Sequence, residues 1–191
     1  MNADECSKYW IERGVHAPKN TLTKEEYDEM CNINILQEKA IDKILDTINW
    51  NSLIEVGCGY GRHIIRNKKR YPNKKIIGVD ISIEKLNQIK KLNLDIELIE
   101  CDVFETIPKI NIDVALTSEF MMHIPPENLL SLYNRIKEMS NKIIMLEYCV
   151  PSKFNDTFSE HNWNHDYIKI LDDLDKIEIK NTPDCIFKNW K

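Results

Sequence analysis

No stretch of this chain approaches the roughly 20 consecutive apolar residues that a membrane-crossing helix needs, and its first residues lack the apolar core of a secretory leader. A membrane protein is therefore not expected. Cysteine pairing is missing too. The six cysteines, Cys6, Cys31, Cys58, Cys101, Cys149 and Cys185, show no C-x-x-C pair and no regular spacing. That suits reduced, buried thiols and a cytoplasmic or equally reducing compartment. Nor is there a surplus of cations: 26 Lys and Arg face 31 Asp and Glu, for a formal net charge of -5. A protein that grips a polyphosphate backbone displays a basic face, so nucleic acid is disfavoured as a substrate. The one basic run, Lys68-Lys69-Arg70 with Lys74-Lys75, brackets a predicted helix end, where cations complement the helix dipole. No internal repeat or low-complexity tract is visible.

What is present fits one globular domain. With 191 residues, 42% hydrophobic and 30% charged, the chain is long enough to bury a sheet between helical layers and too short for two comfortable domains. Residues 1–50 read as a helical cap and 51–191 as the core. Within the cap, Met1 to about Thr23 reads as a short helix and a loop. From Lys24 onward Tyr27, Met30, Ile33, Leu36, Ala40, Ile44 and Ile48 recur at helical spacing, with Thr23 and Glu26 in the form of a capping box.

After Trp50 the pattern changes. Leu53 to Val56, Lys75 to Asp80, Asp95 to Glu100, Asp113 to Thr117 and Lys142 to Glu147 read as strands. Between them lie helical segments at Arg62 to Arg70, Ile83 to Leu92, capped by Ser82, and Leu129 to Met139, entered through Pro125-Pro126. A polar and aromatic segment, about 148–164, reads as an inserted loop before a helix at Tyr167 to Leu174. Two alternating strands, Lys176 to Lys180 and Cys185 to Trp190, close the chain as a hairpin. Strands alternating with helices predict an α/β sheet, mostly parallel, made antiparallel at one strand by the hairpin.

Glycine is scarce, five residues in all, yet three stand at alternate positions in Glu55-Val56-Gly57-Cys58-Gly59-Tyr60-Gly61, after a strand and before a helix. Bare backbone there permits a sharp turn and lets a nucleotide-like cofactor touch the main chain, although an unliganded strand-helix turn would use glycines too. Asp80 ends the second strand about twenty residues on, where a carboxylate can accept from both ribose hydroxyls; the bland alternative is a helix cap. Asp102 follows the third strand, suitably placed for an adenine amino group, or is simply a loop acid. In an open α/β sheet these turns converge on one crevice beyond the strand ends.

On these residues the chain resembles the class I (Rossmann-like) S-adenosylmethionine-dependent methyltransferases, small-molecule branch. Leu53 to Gly61 is similar to their first motif, Gly78-Val79-Asp80-Ile81-Ser82 to the second, Cys101-Asp102-Val103 to the third, and Phe120 to Pro126 to the segment after the fourth strand. The resemblance implies a three-layer sandwich around a seven-stranded sheet, with S-adenosylmethionine as cofactor. It also implies a cofactor site of Glu55, Gly57, Cys58, Gly59, Gly61, Asp80, Ile81, Asp102, Val103 and Ser118. The chain lacks the Pro-Gly-Gly turn common before the fifth strand, having Met139-Ser140-Asn141. It also lacks the Asn-Pro-Pro-Tyr-like motif of amino-modifying nucleic-acid enzymes, having Thr117-Ser118-Glu119-Phe120.

Methyl transfer from a sulfonium asks for alignment, exclusion of water and, for a hydroxyl acceptor, a proton acceptor. Two histidines are candidates for the last role. His123 either serves the acceptor or packs before the Pro-Pro helix. His165, in His161-Asn162-Trp163-Asn164-His165-Asp166-Tyr167, is a base or substrate contact with Asp166 orienting it or capping the helix; the alternative is a capped helix with surface histidines. No metal is expected, since His161 and His165 have no third ligand nearby. Glu119, Glu147 and Tyr148 sit at strand ends toward the same crevice, and Tyr9 and Trp10 either cover it or merely pack. Trp10 to Gly14 and the His-Asp-Tyr segment resemble compact methyltransferases encoded among sugar and cell-surface glycan genes. Two rival readings stand beside this one. A nicotinamide-dependent oxidoreductase would use a G-x-G-x-x-G fingerprint, where this chain has its third glycine one place early and Arg62 beyond it. A non-catalytic module would retain the cofactor to serve a partner.

Overall fold

The computed structural model describes residues 2–15, 35–149, 157–159, 161–171, 173–179 and 184–190. Helix α1 spans Ala3–Val15 and α2 Ile35–Thr47. The core then runs β1 (Ser52–Val56), α3 (Arg62–Arg70), β2 (Lys75–Asp80), α4 (Ile83–Lys90), β3 (Glu97–Glu100), β4 (Ile112–Ser118), a 3-10 turn (Met121–His123), α5 (Pro126–Met139) and β5 (Ser140–Tyr148). The inserted segment carries a small two-stranded ribbon, β6 (Thr157–Ser159) and β7 (Asn162–Trp163); α6 (Tyr167–Ile170), β8 (Asp175–Glu178) and β9 (Asp184–Trp190) complete the chain. The predicted capping box and the apolar positions Tyr27, Met30 and Ile33 lie outside the described residues.

The sheet has seven strands in the order β3-β2-β1-β4-β5-β9-β8. The first five are mutually parallel, and β9 runs antiparallel to both β5 and β8. The expected α/β sheet is therefore present, with β4 at its middle. Successive side chains of a strand point to opposite faces, and here both faces are apolar. Ile54, Val56, Ala115, Ile143 and Met145 pack beneath α5 and Tyr167 of α6. Leu53, Val114, Leu116, Ile144 and Leu146 pack against α2, α3 and α4 through Ile41, Leu45, Ile64, Ile65 and Leu86. That double coverage explains why the central strands read as unbroken apolar runs. Each fully buried Val, Leu, Ile or Met side chain among them contributes about 1.5 to 3 kcal/mol.

The order places a switch point between β1 and β4, whose crossovers leave in opposite directions, so a crevice opens beyond their carboxyl ends. Helix α1 lies over that end of the sheet. Its Gly14 backbone comes so close to Ser82, the cap of α4, that an added Cβ would stand 2.1 Å from the hydroxyl oxygen. Its Cys6 thiol donates to the His123 carbonyl (3.1 Å).

Candidate functional site

The turn after β1 is built on main-chain hydrogen bonds. The amides of Gly57 and Cys58 both donate to the Val79 carbonyl (2.8 and 2.9 Å), and Gly61 N–H donates to the Cys58 carbonyl (2.8 Å). Two glycines do different work. Gly57 has φ +76°, and a Cβ there would overlap the Phe120 ring at 2.1 Å. Gly59 has φ +53°, and the position of its missing Cβ is open, with no protein atom within 4 Å. That unfilled cradle, above bare backbone, is the space a ligand would occupy.

Asp80 ends β2 beside this turn and is 8% exposed. Its Oδ2 accepts from Gly59 N–H (2.8 Å) and its Oδ1 from Ser82 N–H (2.9 Å). The helix cap is Ser82, whose hydroxyl accepts from Lys85 N–H, so Asp80 is left to brace the glycine turn and face the cleft. Asp102 Oδ1 accepts from Phe104 N–H (2.9 Å), which fixes the loop after β3.

One cleft enclosing ≈ 760 Å³ of free space, part of it open to solvent, is lined by Gly57, Gly59, Asp80, Ile81, Asp102, Val103 and His123. Cys6, Ser7 and Trp10 of α1 line the same cleft, as do Lys85, Glu119 and Phe120. The three converging turns read from the sequence thus share one cavity. The α1 contribution had a signal in the aromatic pair Tyr9-Trp10. Trp10 packs on His123 at 4.4 Å with the rings tilted by 57° and carries the Lys85 ammonium at 5.3 Å, while Tyr9 lies over His161 at 4.0 Å and shares a 2.9 Å hydrogen bond with its Nε2. Ser7 Oγ is buried without a hydrogen-bond partner, and Trp10 hydrogen-bonds the Cys6 thiol within the same helix.

His123 is in the wall. Its Nδ1 lies 3.1 Å from the His161 carbonyl, which can only accept, so Nδ1 carries the proton and Nε2 keeps its lone pair. Burial, partly offset by that carbonyl and by Asn162, pushes the imidazole down to about 4. It is neutral at physiological pH.

Five residues of the expected site lie elsewhere. His165 is buried, with its Nε2 on the Ile124 carbonyl (3.0 Å) and its ring stacked near Trp163. It braces the segment between β4 and α5, and Asp166 caps α6 by accepting from Lys169 N–H. Glu55 faces α3 beneath the turn, and burial raises its carboxyl to about 7. The Cys58 sulfur packs toward Gly78, and Gly61 abuts Ile65 and Ile89 at the start of α3. Ser118 is taken into a charged cluster, where its hydroxyl accepts from Arg62 (2.9 Å) and meets His63 Nε2 (2.8 Å).

That cluster was not anticipated. Glu38 of α2, 1% exposed, meets His63 and Arg66 at 3.2 Å and Arg62 at 3.5 Å. Burial pushes its carboxyl up, but His63, Arg62 and Arg66 outweigh this and hold it below the usual range. Arg62 also reaches Glu119 (3.7 Å). The cluster ties α2 and α3 to the end of β4. Its sequence signal was Arg62-His63 and Arg66 on a helix whose neighbours Ile64 and Ile65 are core residues.

Comparisons with known proteins agree with this geometry. Residues 53–142 match the model of a family described as a methyltransferase domain. A curated relative, a trans-aconitate 2-methyltransferase of Afipia carboxidovorans, is 28% identical over 86 residues, which are 45% of this chain and 33% of that protein. The chain thus matches about a third of the length of that relative. Among solved structures the chain is similar to DhpI in complex with SAH, with a TM-score of 0.68 and 12% identity over 97% of this chain and 94% of that one. It is also similar to the magnesium protoporphyrin IX methyltransferase ChlM of Synechocystis with bound SAM (TM-score 0.64, 12% identity, 98% and 96% covered). A third is a putative O-methyltransferase of Nostoc punctiforme (TM-score 0.71, 16% identity, 97% and 68% covered). At such identities the structural likeness is one of fold.

Proposed function

We propose that this chain, whose residues 53–142 match the model of a methyltransferase domain, transfers the methyl group of S-adenosylmethionine to a small molecule. The observation that carries this is the meeting of the Gly57 to Gly59 backbone, Asp80 and Asp102 in a single cleft. The residues present fit the cofactor. Asp80, with each oxygen already fixed by one amide, has lone pairs left for two ribose hydroxyls. Asp102 suits an adenine amino group, and Ile81 and Val103 offer apolar faces to a base. S-adenosylmethionine, when bound, supplies an electrophilic methyl group. The protein's part is placement: α1 excludes water, and the braced turn holds the donor still.

For the acceptor we infer a hydroxyl, of the kind a sugar or glycan precursor offers. The wall formed by Trp10, Phe120 and neutral His123 gives aromatic faces and one unprotonated nitrogen, Nε2, able to accept a hydroxyl hydrogen. An imidazole held near 4 is a weak base, so its contribution is chiefly orientation, the proton moving late in the transfer.

Calorimetric titration with S-adenosylhomocysteine tests the reading. The wild-type chain should bind it and not NAD, and Asp80→Ala should weaken binding at least tenfold, about 1.4 kcal/mol. Unchanged affinity in Asp80→Ala would refute the ribose assignment. Preferential binding of NAD would favour an oxidoreductase.

A further inference from the structure

Glu147, near the end of β5, is wholly buried yet lines no part of the cleft. Its Oε1 accepts from the Thr117 hydroxyl (3.0 Å) and from the amides of Met121 (3.1 Å) and Phe120 (3.4 Å). Its Oε2 accepts from Met122 N–H (3.4 Å). Those amides open the 3-10 turn and have no acceptor within it, so the carboxyl satisfies donors that would otherwise be orphaned. The residue before Glu147 acts on the same run, since the Leu146 carbonyl accepts from Glu119 N–H (2.8 Å). Glu119 stands at φ +50°, a left-handed conformation that a residue with a side chain adopts rarely and keeps only when its surroundings hold it. The end of β5 therefore grips four successive amides, 119 to 122.

Two residues of the cleft depend on that grip. Phe120 lies directly on Gly57, where no Cβ could fit. His123 closes the turn, its amide donating to the Phe120 carbonyl (2.9 Å). We propose that Glu147 is a positioning residue of the transfer site, which by gathering the amides of Phe120, Met121 and Met122 keeps Phe120 seated on Gly57 and His123 in the wall. The proposal rests on the methyltransferase reading. It assigns Glu147 to the part of the cleft formed by Gly57, Phe120 and His123, where the amino-acid portion of the cofactor and the acceptor would meet, and not to the nucleoside part.

A thermodynamic cycle on the full chain tests it, with S-adenosylhomocysteine and methylthioadenosine as calorimetric probes; the second lacks the amino-acid portion. Glu147→Ala should weaken S-adenosylhomocysteine about tenfold and leave methylthioadenosine within about twofold. Phe120→Leu should cause a similar loss, and the double variant should lose little more than either single one, because both changes remove the same contact. Glu147→Gln retains one acceptor oxygen but turns an N–H donor toward another amide, so its loss should be smaller. Should Glu147→Ala fail to fold, Glu147→Gln with Phe120→Leu completes the same cycle. Equal affinities in wild type and Glu147→Ala, parallel loss of both probes, or additive losses in the cycle would each overturn the proposal. A wild-type chain that binds neither probe would overturn the functional reading instead.

Discussion

Gly57 and Gly59 separate two costs that a single substitution usually mixes. Alanine at Gly59 meets no protein atom, so it should cost only the left-handed strain, about 1 to 2 kcal/mol. That corresponds to a loss of roughly 2 to 8 °C in melting temperature for a chain of this size. It should nonetheless lower S-adenosylhomocysteine affinity by an order of magnitude or more, because its methyl group fills the cradle. A melting curve and a titration on one sample check this; retained affinity would mean that the cradle is not used. His165→Ala should behave oppositely, lowering thermal stability while any loss of binding follows from loss of fold. The sequence made these residues legible in unequal degree. Glycines at a strand end and acids at the next two have a geometric meaning that survives folding. A histidine in a polar, aromatic run does not announce whether its nitrogen meets substrate or, as at His165, a carbonyl of its own chain. Ser118 was equally opaque, because Glu38, Arg62 and His63 come together only after α2 has packed on α3.

Among the elements, α1 is the one whose role depends most on a single close approach. Gly14→Ala would push a methyl group into Ser82, where α1 crosses the start of α4. The expected result is a loosened α1, seen as faster proteolysis within residues 3–15, with a several-fold loss of S-adenosylhomocysteine affinity. Unchanged proteolysis would show that the helix can shift without penalty. The strands of the core were readable within two residues at most ends because both faces of the sheet are covered and the apolar runs are continuous. The ribbon β6 and β7 was not, since two short strands in a polar segment carry no period. Helix α6 is shorter than its pattern suggested, running Tyr167–Ile170 where residues to Leu174 fit a helical spacing. Leu171 and Leu174 still join the core, so burial kept the apolar spacing after the helix had ended.

For the molecule as a whole, two buried acids set the response to pH. Burial holds the Glu147 carboxyl at about 8 and Glu55 at about 7, both above the ordinary 4.5. A group whose pKa is raised on folding binds its proton more tightly in the native state, so its contribution is full below about pH 4.5 and is lost as pH rises through 7 and 8. Glu147→Gln removes one titration. The melting temperature of the wild type should therefore fall relative to that of Glu147→Gln between pH 6 and pH 9, and a constant difference would show that the carboxyl is already ionised at pH 6. The five described cysteines are free and buried, and no helix among the described residues is long and apolar enough to cross a membrane. The fold was legible at this scale because it rests on the order of strands and turns. The acceptor was not, because the wall we propose for it joins Phe120 and His123 to Trp10, which is distant from them in the chain and meets them only in the finished cleft.

The position of β9 has a consequence for how the protein is made. It follows both β5 and β8 in sequence, yet it lies between them and pairs with both. Until a ribosome has released its seven residues, β5 presents a naked row of amides and carbonyls, and β8, already synthesised, has no neighbour to join. Between the synthesis of β5 and that of β9 the nascent chain therefore carries an adhesive margin, which is closed when Asp184–Trp190 pairs with it.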